Sequence, residues 1–192
     1  LITGSNGFIG KNLAYFLKSK NHKVFLFDKK KTSTDLINYV KKADFVFHLA
    51  GVNRPLKSRE FENNHTFTKL LIDTMSNLDK KIPIVFTSSS KALENNLYGN
   101  SKIKAEKLLK KFSKNNKSPL VIYRLPNVFG KWCKPNYNSV VATFCFNVAN
   151  DIDLKIKSNQ KLELVYIDDL MESFFENLSL GSDTKFNYKK LD

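Results

Sequence analysis

The feature that most constrains this chain is a regular alternation of short apolar runs with amphipathic segments. Continuous apolar runs of strand length occur at 24–27, 45–50, 84–87 and 120–123, and segments with helical periodicity separate them. Strands without polar alternation are typical of a parallel sheet that is covered on both faces. The order therefore predicts an α/β fold, a Rossmann-like doubly wound parallel sheet.

A glycine-rich turn stands at the start of the chain, between a strand end and a helix start. It follows the apolar Leu1-Ile2-Thr3 and precedes a helical pattern, which is the context that a dinucleotide-binding motif requires. Glycines permit a tight turn and a close approach of the backbone to a pyrophosphate, and the helix N-terminus supplies N–H donors to that anion. We therefore expect a cofactor to bind at Gly4, Asn6, Gly7, Phe8, Ile9 and Gly10.

The end of the second predicted strand leaves the choice of dinucleotide open. Asp28 stands where an acidic residue usually binds the adenosine ribose hydroxyls and favours NAD. Lys29 and the two lysines after it could hold a 2′-phosphate instead, or they could be an exposed run of charge. Ala50 and Gly51 end the central strand, where small residues let a cofactor approach closely.

A tyrosine and a lysine supply the candidate chemistry. Tyr98 and Lys102 are four residues apart, so they share one face if a helix begins near Tyr98. A phenol has an unperturbed pKa of about 10, and a neighbouring ammonium lowers that pKa toward the range useful for acid–base catalysis. We expect His48 to be a packed strand residue rather than a catalyst.

Together these motifs resemble the short-chain dehydrogenase/reductase superfamily. The Gly-x-x-Gly-x-x-Gly spacing resembles its extended branch, the NAD-dependent epimerase/dehydratase family. The resemblance implies that Tyr98 transfers a proton, that Lys102 also bonds the nicotinamide ribose, and that a serine after the preceding strand holds the substrate oxygen. Counting from the strand, we assign that serine to Ser90, with Ser89 as the second choice. Hydride transfer of this kind needs no metal.

Longer segments resemble one subgroup of that family. They are 48–55, Ser88-Ser89-Ser90, 98–102 and 123–140, the last with an unusual run, Phe129-Gly130-Lys131-Trp132-Cys133-Lys134-Pro135-Asn136-Tyr137-Asn138. The subgroup comprises capsular polysaccharide and O-antigen enzymes that form UDP-2-acetamido-2,6-dideoxy-β-L-talose. The resemblance implies reduction, with NADPH, of the C4 ketone of a UDP-4-keto-6-deoxy-N-acetylhexosamine. It also implies contacts to this UDP-sugar from Arg54, Asn127, Lys131, Lys134 and Asn138.

The chain departs from this subgroup in its cofactor site and in its domains. Asp28 would repel a 2′-phosphate unless Lys29 or Lys30 compensates, so NAD(H) stays an alternative to NADPH. We divide the chain into a dinucleotide-binding Rossmann core, residues 1–125, and a small C-terminal substrate-binding subdomain, residues 126–192, which we expect to be incomplete. Subgroup members also carry a C-terminal metal-binding cupin domain that epimerises C3. We expect that domain to be absent from this chain, so we do not predict its activity.

The same residues bear on three other functions. A UDP-sugar 4-epimerase or dehydratase with tightly bound NAD is the alternative enzyme, although Lys91-Ala92 replaces the Asp-Glu pair of dehydratases. A dinucleotide-sensing regulator would usually lack the Tyr–Lys pair. The net charge of +14 suits a nucleic-acid binder, but the lysines are not interleaved with aromatic residues as stacking surfaces require.

The composition also bears on location and partners. The chain has no Cys-x-x-Cys, which suits a reduced, cytoplasmic setting. No apolar run approaches the roughly 20 residues of a membrane span. We therefore expect a cytoplasmic homodimer that binds a UDP-sugar and neither nucleic acid nor membrane.

Overall fold

A parallel sheet with helices on both faces forms the centre of the structure, which confirms the predicted fold class. The computed structural model describes residues 1–154, 156, 161–179 and, for the backbone, 187–189. Short 3-10 turns precede α3, follow β4 and follow α6. The elements are β1 Ile2–Thr3, α1 Phe8–Ser19, β2 Leu26–Phe27, α2 Ser33–Lys42, β3 Val46–His48, α3 Glu62–Asn77, β4 Ile84–Ser89, α4 Leu97–Asn116, β5 Leu120–Leu125, β6 Asn127–Phe129, α5 Val140–Ala149, β7 Leu164–Tyr166, α6 Ile167–Glu176 and β8 Asn187–Lys189.

The order of the strands fixes where a ligand can bind. Among the described residues, the main sheet has 6 parallel strands in the order β2-β1-β3-β4-β5-β8. From β1 the chain passes to β2 on one side and then crosses to β3 on the other, so the order reverses between β1 and β3. In open parallel sheets, ligands bind outside the carboxyl ends of the strands at such a reversal.

Alternate strand residues point into two cores, one on each face of the sheet. On one face, Phe86 of β4 belongs to a buried cluster with Leu71 of α3 and Leu109 of α4. On the other face, Val85 belongs to a cluster with Phe174 of α6 and residues of α1. Because both faces are covered, β1 to β5 begin with apolar residues and have polar residues only toward their carboxyl ends, which explains their appearance as apolar runs.

The segment after residue 126 adds two elements to this core. Phe174 of α6 packs edge-on against Tyr123 of β5, with ring centroids 4.9 Å apart, and β8 pairs in parallel with β5. β6 and β7 form a separate two-stranded parallel sheet. A substrate-facing unit over 126–192 stays a prediction, but α6 and β8 belong to the Rossmann layers. Residues 155, 157–160, 180–186 and 190–192 of that unit lie outside the described residues.

The surface helix α5 is built almost entirely from apolar residues. None of its ten residues is buried, and Phe146 and Val148 are 42% and 63% exposed. Within the described ranges, no helix has both the length and the apolar character required to cross a membrane.

His48 is a neutral, packed residue of β3, as expected. It is fully buried, and its Nδ1 lies 2.8 Å from the Thr3 hydroxyl while its Nε2 lies 2.9 Å from the Thr68 hydroxyl. Burial, together with the positive charge of Lys102, lowers the pKa of His48 from 6.5 to about 3. The two ring nitrogens therefore form hydrogen bonds that join β3 to β1 and to α3.

This buried histidine predicts a loss of stability in acid. Below pH 6.5 the unfolded chain binds a proton at His48 that the folded chain excludes down to about pH 3. The free energy of unfolding should therefore fall by about 1.4 kcal/mol for each pH unit in this window. Urea unfolding at about pH 7 and about pH 5 should show a weaker pH dependence in His48→Asn, by about 2 kcal/mol. Equal pH dependences in His48→Asn and wild type would contradict the prediction.

Candidate active site

A crevice of about 780 Å³ lies at the carboxyl ends of β1, β3, β4 and β5. It is bounded by the glycine turn, the loop after β3, the serines after β4 and the first turns of α4. Most of the predicted site residues line it, namely Gly4, Gly7, Phe8, Ile9, Gly10, Gly51, Arg54, Ser90, Tyr98, Lys102, Asn127 and Asn138. The structure therefore brings the two sequence motifs to one place.

The glycine turn fits a pyrophosphate. Gly4 has a φ of +70°, and a Cβ added to it would lie 2.7 Å from the backbone of Ala50, so the predicted residue Ala50 lies directly against the turn. A Cβ on Gly10 would lie 2.3 Å from the Gly4 carbonyl oxygen. In the described chain, no side chain caps the N-terminus of α1, and its first turn has no acidic residue. The N–H groups there suit an anion.

Asp28 is held beside this turn at the end of β2. The Asn6 amide donates a hydrogen bond to Asp28 Oδ2, and the backbone N–H of Lys30 donates to Asp28 Oδ1 at 2.7 Å. The half-buried carboxylate is therefore fixed where the adenosine end of a dinucleotide would lie. Lys29 is exposed, and Asn6, Asp28 and Lys29 lie beyond the lining of the main crevice.

The ammonium of Lys102 is buried at the end of β4. Lys102 is 6% exposed, and its Nζ donates to the Thr87 carbonyl oxygen at 3.1 Å. A Cβ added to Gly51 would lie 2.9 Å from this Nζ, so the absence of a side chain at Gly51 gives the ammonium its space. Burial lowers the pKa of Lys102 to about 8, although the negative charge of Glu106 opposes that shift. Lys102 therefore remains mostly protonated at neutral pH.

Tyr98 lies in the first turn of α4, which Asn96 caps by accepting a hydrogen bond from Gly99 N–H at 2.8 Å. Burial raises the pKa of the Tyr98 phenol, and a hydrogen bond with the Ser89 side chain opposes the rise. The sequence argument expected a lowered pKa, whereas the net shift in this structure is upward, because desolvation of the phenol is the largest effect. The phenol stays protonated at neutral pH, as a proton donor requires.

The serine that contacts Tyr98 is Ser89, the second choice of the sequence argument. β4 extends through Ser89, which is half-buried, whereas the exposed Ser90 begins the following 3-10 turn. Both serines line the crevice, but the hydrogen bond to Tyr98 comes from Ser89. The role of Ser90 as the residue that holds the substrate oxygen stays a prediction.

The loop after β6 lies between the crevice and a second cavity of about 710 Å³. Arg54, Asn127 and Asn138 line both cavities, together with Tyr137. Arg54 Nη1 donates to the Asn136 carbonyl oxygen at 3.4 Å, so the loop after β3 reaches this region.

The two predicted substrate lysines, Lys131 and Lys134, line neither cavity. The Nζ of Lys131 lies 4.5 Å from the ring centroid of Trp132 and 5.0 Å from that of Tyr15, on the outer surface of α1. Its backbone carbonyl accepts a hydrogen bond from Asn12 at 2.9 Å, which fixes this part of the loop against α1. The contact with the aromatic rings directs Lys131 away from the crevice.

Two buried polar residues of the site were missed by the sequence argument. Asn64 of α3 accepts from Val52 N–H at 2.6 Å and donates to the Ser101 hydroxyl at 2.9 Å, so it joins the loop after β3 to α4. Glu106 lies one helical turn beyond Lys102 and is buried. The sequence did contain a signal for both residues, because each is a polar residue on the apolar face of its helix. Asn64 lies one turn before Thr68 in α3, and Glu106 lies between Ala105 and Leu109 in α4.

Substitutions of Gly4 and Gly51 should affect different properties, the first mainly stability and the second mainly cofactor affinity. Gly4→Ala places a methyl group against backbone at a positive φ, so we expect a loss of about 1–3 kcal/mol in unfolding free energy. Gly51→Ala meets the end of the Lys102 side chain, which can shift more easily than backbone, so the loss of stability should be smaller and the dissociation constant for a nicotinamide dinucleotide should rise. Urea unfolding and fluorescence titration measure the two effects. A large stability loss in Gly51→Ala that persists in a Lys102→Ala background would refute this explanation.

The chain is similar to sugar-nucleotide enzymes along nearly its whole length. The NAD dependent epimerase/dehydratase family matches residues 1–184. The UDP-2-acetamido-2,6-beta-L-arabino-hexul-4-ose reductase of Pseudomonas aeruginosa is 43% identical over 179 residues, which cover 92% of this chain and 48% of that protein. These matches confirm the resemblance that the motifs indicated.

Solved structures agree with this similarity. Capsular polysaccharide assembling protein CapF from Staphylococcus aureus has a TM-score of 0.81 and 36% identity, covering 96% of this chain and 52% of that one. The UDP-glucose 4-epimerase of Thermus thermophilus in complex with NAD has a TM-score of 0.79 at 18% identity, covering 97% and 76%, and so shows the fold alone. The chain spans about half the length of the Pseudomonas reductase and of the Staphylococcus protein.

Proposed function

Because the chain belongs to the NAD-dependent epimerase/dehydratase family, we propose that it reduces the C4 ketone of a UDP-4-keto-6-deoxy-N-acetylhexosamine, for surface polysaccharide synthesis. The observation that carries this proposal is the meeting of Tyr98, Ser89 and Lys102 at the crevice beside the glycine turn. The 43% identity to a UDP-hexulose reductase supports the reaction type and the substrate class.

Each of the three side chains has a role in this reaction. When bound, the dihydronicotinamide supplies a hydride to the carbonyl carbon. Tyr98, whose raised pKa keeps its phenol protonated, donates a proton to the carbonyl oxygen, so that the ketone becomes an alcohol. Ser89 donates a hydrogen bond to the same oxygen as negative charge develops. The Lys102 ammonium stabilises the phenolate that Tyr98 leaves and bonds the nicotinamide ribose.

We propose NADPH as the reductant, in line with the subgroup that the sequence resembles. Asp28 carries one negative charge, which hydrogen bonds from Asn6 and from the Lys30 N–H hold in place. Lys29 and the two lysines after it are exposed beside that carboxylate, and their charge outweighs it. A 2′-phosphate would therefore meet a net positive region, whereas NADH would gain only the contact with Asp28.

The two adjoining cavities suit the two parts of a UDP-sugar. The keto sugar would lie in the crevice beside Tyr98, and the uridine diphosphate would extend past Arg54 into the second cavity. We therefore propose substrate contacts from Arg54, Asn127 and Asn138. Lys131 and Lys134 are dropped from this set because their side chains line neither cavity. The cytoplasmic location and the homodimeric state stay predictions.

The direct test measures loss of dihydronicotinamide absorbance with a UDP-4-keto-6-deoxy-N-acetylhexosamine, comparing NADPH with NADH. We expect NADPH to be consumed in step with alcohol formation, and faster than NADH. Tyr98→Phe should lower turnover by about 10²-fold or more while the dissociation constant for NADPH stays within about twofold. Lys102→Ala should lower turnover and should also raise the dissociation constant for NADPH. Copurifying NAD, with C4 epimerisation of a UDP-sugar and no net oxidation, would establish the alternative enzyme instead.

A serine pair tests the assignment of the substrate-oxygen donor. Ser89→Ala removes the hydroxyl that contacts Tyr98, so kcat should fall by about 10²-fold. Ser90→Ala is the matched control, because it removes the same group one residue later, and it should keep most of the activity. The reverse ranking in steady-state kinetics would restore Ser90 to the role.

A further inference from the structure

One buried carboxylate joins α4 to the ends of two strands. Glu106 has a side chain that is 1% exposed, and it accepts hydrogen bonds from Ser88 Oγ at 2.6 Å, Arg124 Nε at 3.0 Å and Arg124 Nη2 at 2.8 Å. Ser88 in β4 and Arg124 in β5 are register partners. The carboxylate therefore fixes the relative position of both strand ends and of the helix.

The residues next to these contacts belong to the reaction centre. Thr87, before Ser88, accepts the hydrogen bond from Lys102 Nζ, and Ser89, after Ser88, contacts Tyr98. Three successive residues of β4 are thus paired with α4 side chains that are spaced by one helical turn. Glu106 supplies the only acidic member of this arrangement among the described residues, and it touches neither cavity.

We propose that Glu106 is a positioning residue for the reductase: its bonds to Ser88 and Arg124 hold the end of β4 against α4, which keeps the Thr87 carbonyl where it binds the Lys102 ammonium. The inference rests on the proposed function, in which Lys102 and Ser89 serve ketone reduction. Glu106 acts through these side chains and does not contact substrate.

Electrostatics support this assignment. Burial lowers the pKa of Lys102 and the negative charge of Glu106 raises it, so the carboxylate opposes loss of the proton. Arg124 of β5 forms an ion pair with Glu106 and so offsets part of its negative charge. His48, which faces Lys102 from β3, has a pKa of about 3 and is therefore neutral at neutral pH. Tyr98, on the same helix, is a protonated phenol. A buried ion pair adds little net stability because desolvation offsets the attraction, so stability alone does not explain this one.

The first experiment follows the proton on Lys102 and needs no substrate. Carbon-13 NMR of the lysine ε-carbons, with the Lys102 signal identified by its loss in Lys102→Ala, should give a midpoint near pH 8 in the wild type. Glu106→Gln keeps the shape and an acceptor for Ser88 but removes the charge, so the midpoint should fall by about one pH unit. Arg124→Gln should raise the midpoint, because it removes a positive charge that offsets the negative charge of Glu106.

The matched control is Glu62→Gln, which removes a glutamate that forms an exposed ion pair with Lys104 of α4 at 3.6 Å. We expect no change in the Lys102 midpoint. Circular dichroism establishes that each variant is folded. An unchanged midpoint in folded Glu106→Gln would overturn the inference. If Glu106→Gln does not fold, Arg124→Gln provides the test. A lowered or unchanged Lys102 midpoint in that variant would also contradict the inference.

The second experiment connects this proton to catalysis. The alkaline limb of kcat/KM for NADPH-dependent reduction should move to lower pH in Glu106→Gln and to higher pH in Arg124→Gln, by the shifts that NMR measures. A purely structural role would lower kcat in both variants without moving the limb in opposite directions. If the wild-type protein reduces no keto sugar, the proposed function fails while the NMR midpoints still decide the role of Glu106.

Discussion

The arrangement of the site depends on the buried ammonium of Lys102, which needs polar partners around it. A cation removed from water needs polar partners, because its desolvation is otherwise strongly unfavourable. Here the Thr87 carbonyl bonds it, the Phe86 ring lies 5.3 Å from it and Glu106 balances its charge. These partners require α4 to lie along the end of β4, which sets Tyr98 beside Ser89. They also require a residue without a side chain at Gly51, next to the glycine turn.

The parts of this arrangement that depend on local sequence could be predicted. Apolar runs and helical periodicity identify the strands and helices, because burial on both sheet faces leaves a direct trace in the residue pattern. The spacing of Tyr98 and Lys102 fixes their common face once a helix begins near them. The choice between Ser89 and Ser90 could not be made, since a one-residue shift in a strand end reverses the direction of the side chain and identical residues give no guide.

Features that depend on distant partners were beyond sequence reasoning. The direction of Lys131 follows from the Tyr15 ring on α1 and from a hydrogen bond to Asn12, 119 residues earlier. Asn64 and Glu106 gain their roles only when Val52, Ser88 and Arg124 come within reach. The pKa of Tyr98 likewise depends on how much water the folded chain excludes from the phenol, and residue spacing carries no information about that quantity.

The position of β2 at the end of the sheet affects how copies of the chain meet one another. An outer strand with unsatisfied backbone groups invites pairing with a second molecule, which leads to aggregation. β2 offers only Leu26 and Phe27, so an intruding strand would gain few hydrogen bonds. The exposed run Lys29–Lys31 follows this strand directly, so each molecule carries positive charge beside its sheet edge. Mutual repulsion of these lysines disfavours side-by-side joining of two sheets, a protection that is strongest at low ionic strength.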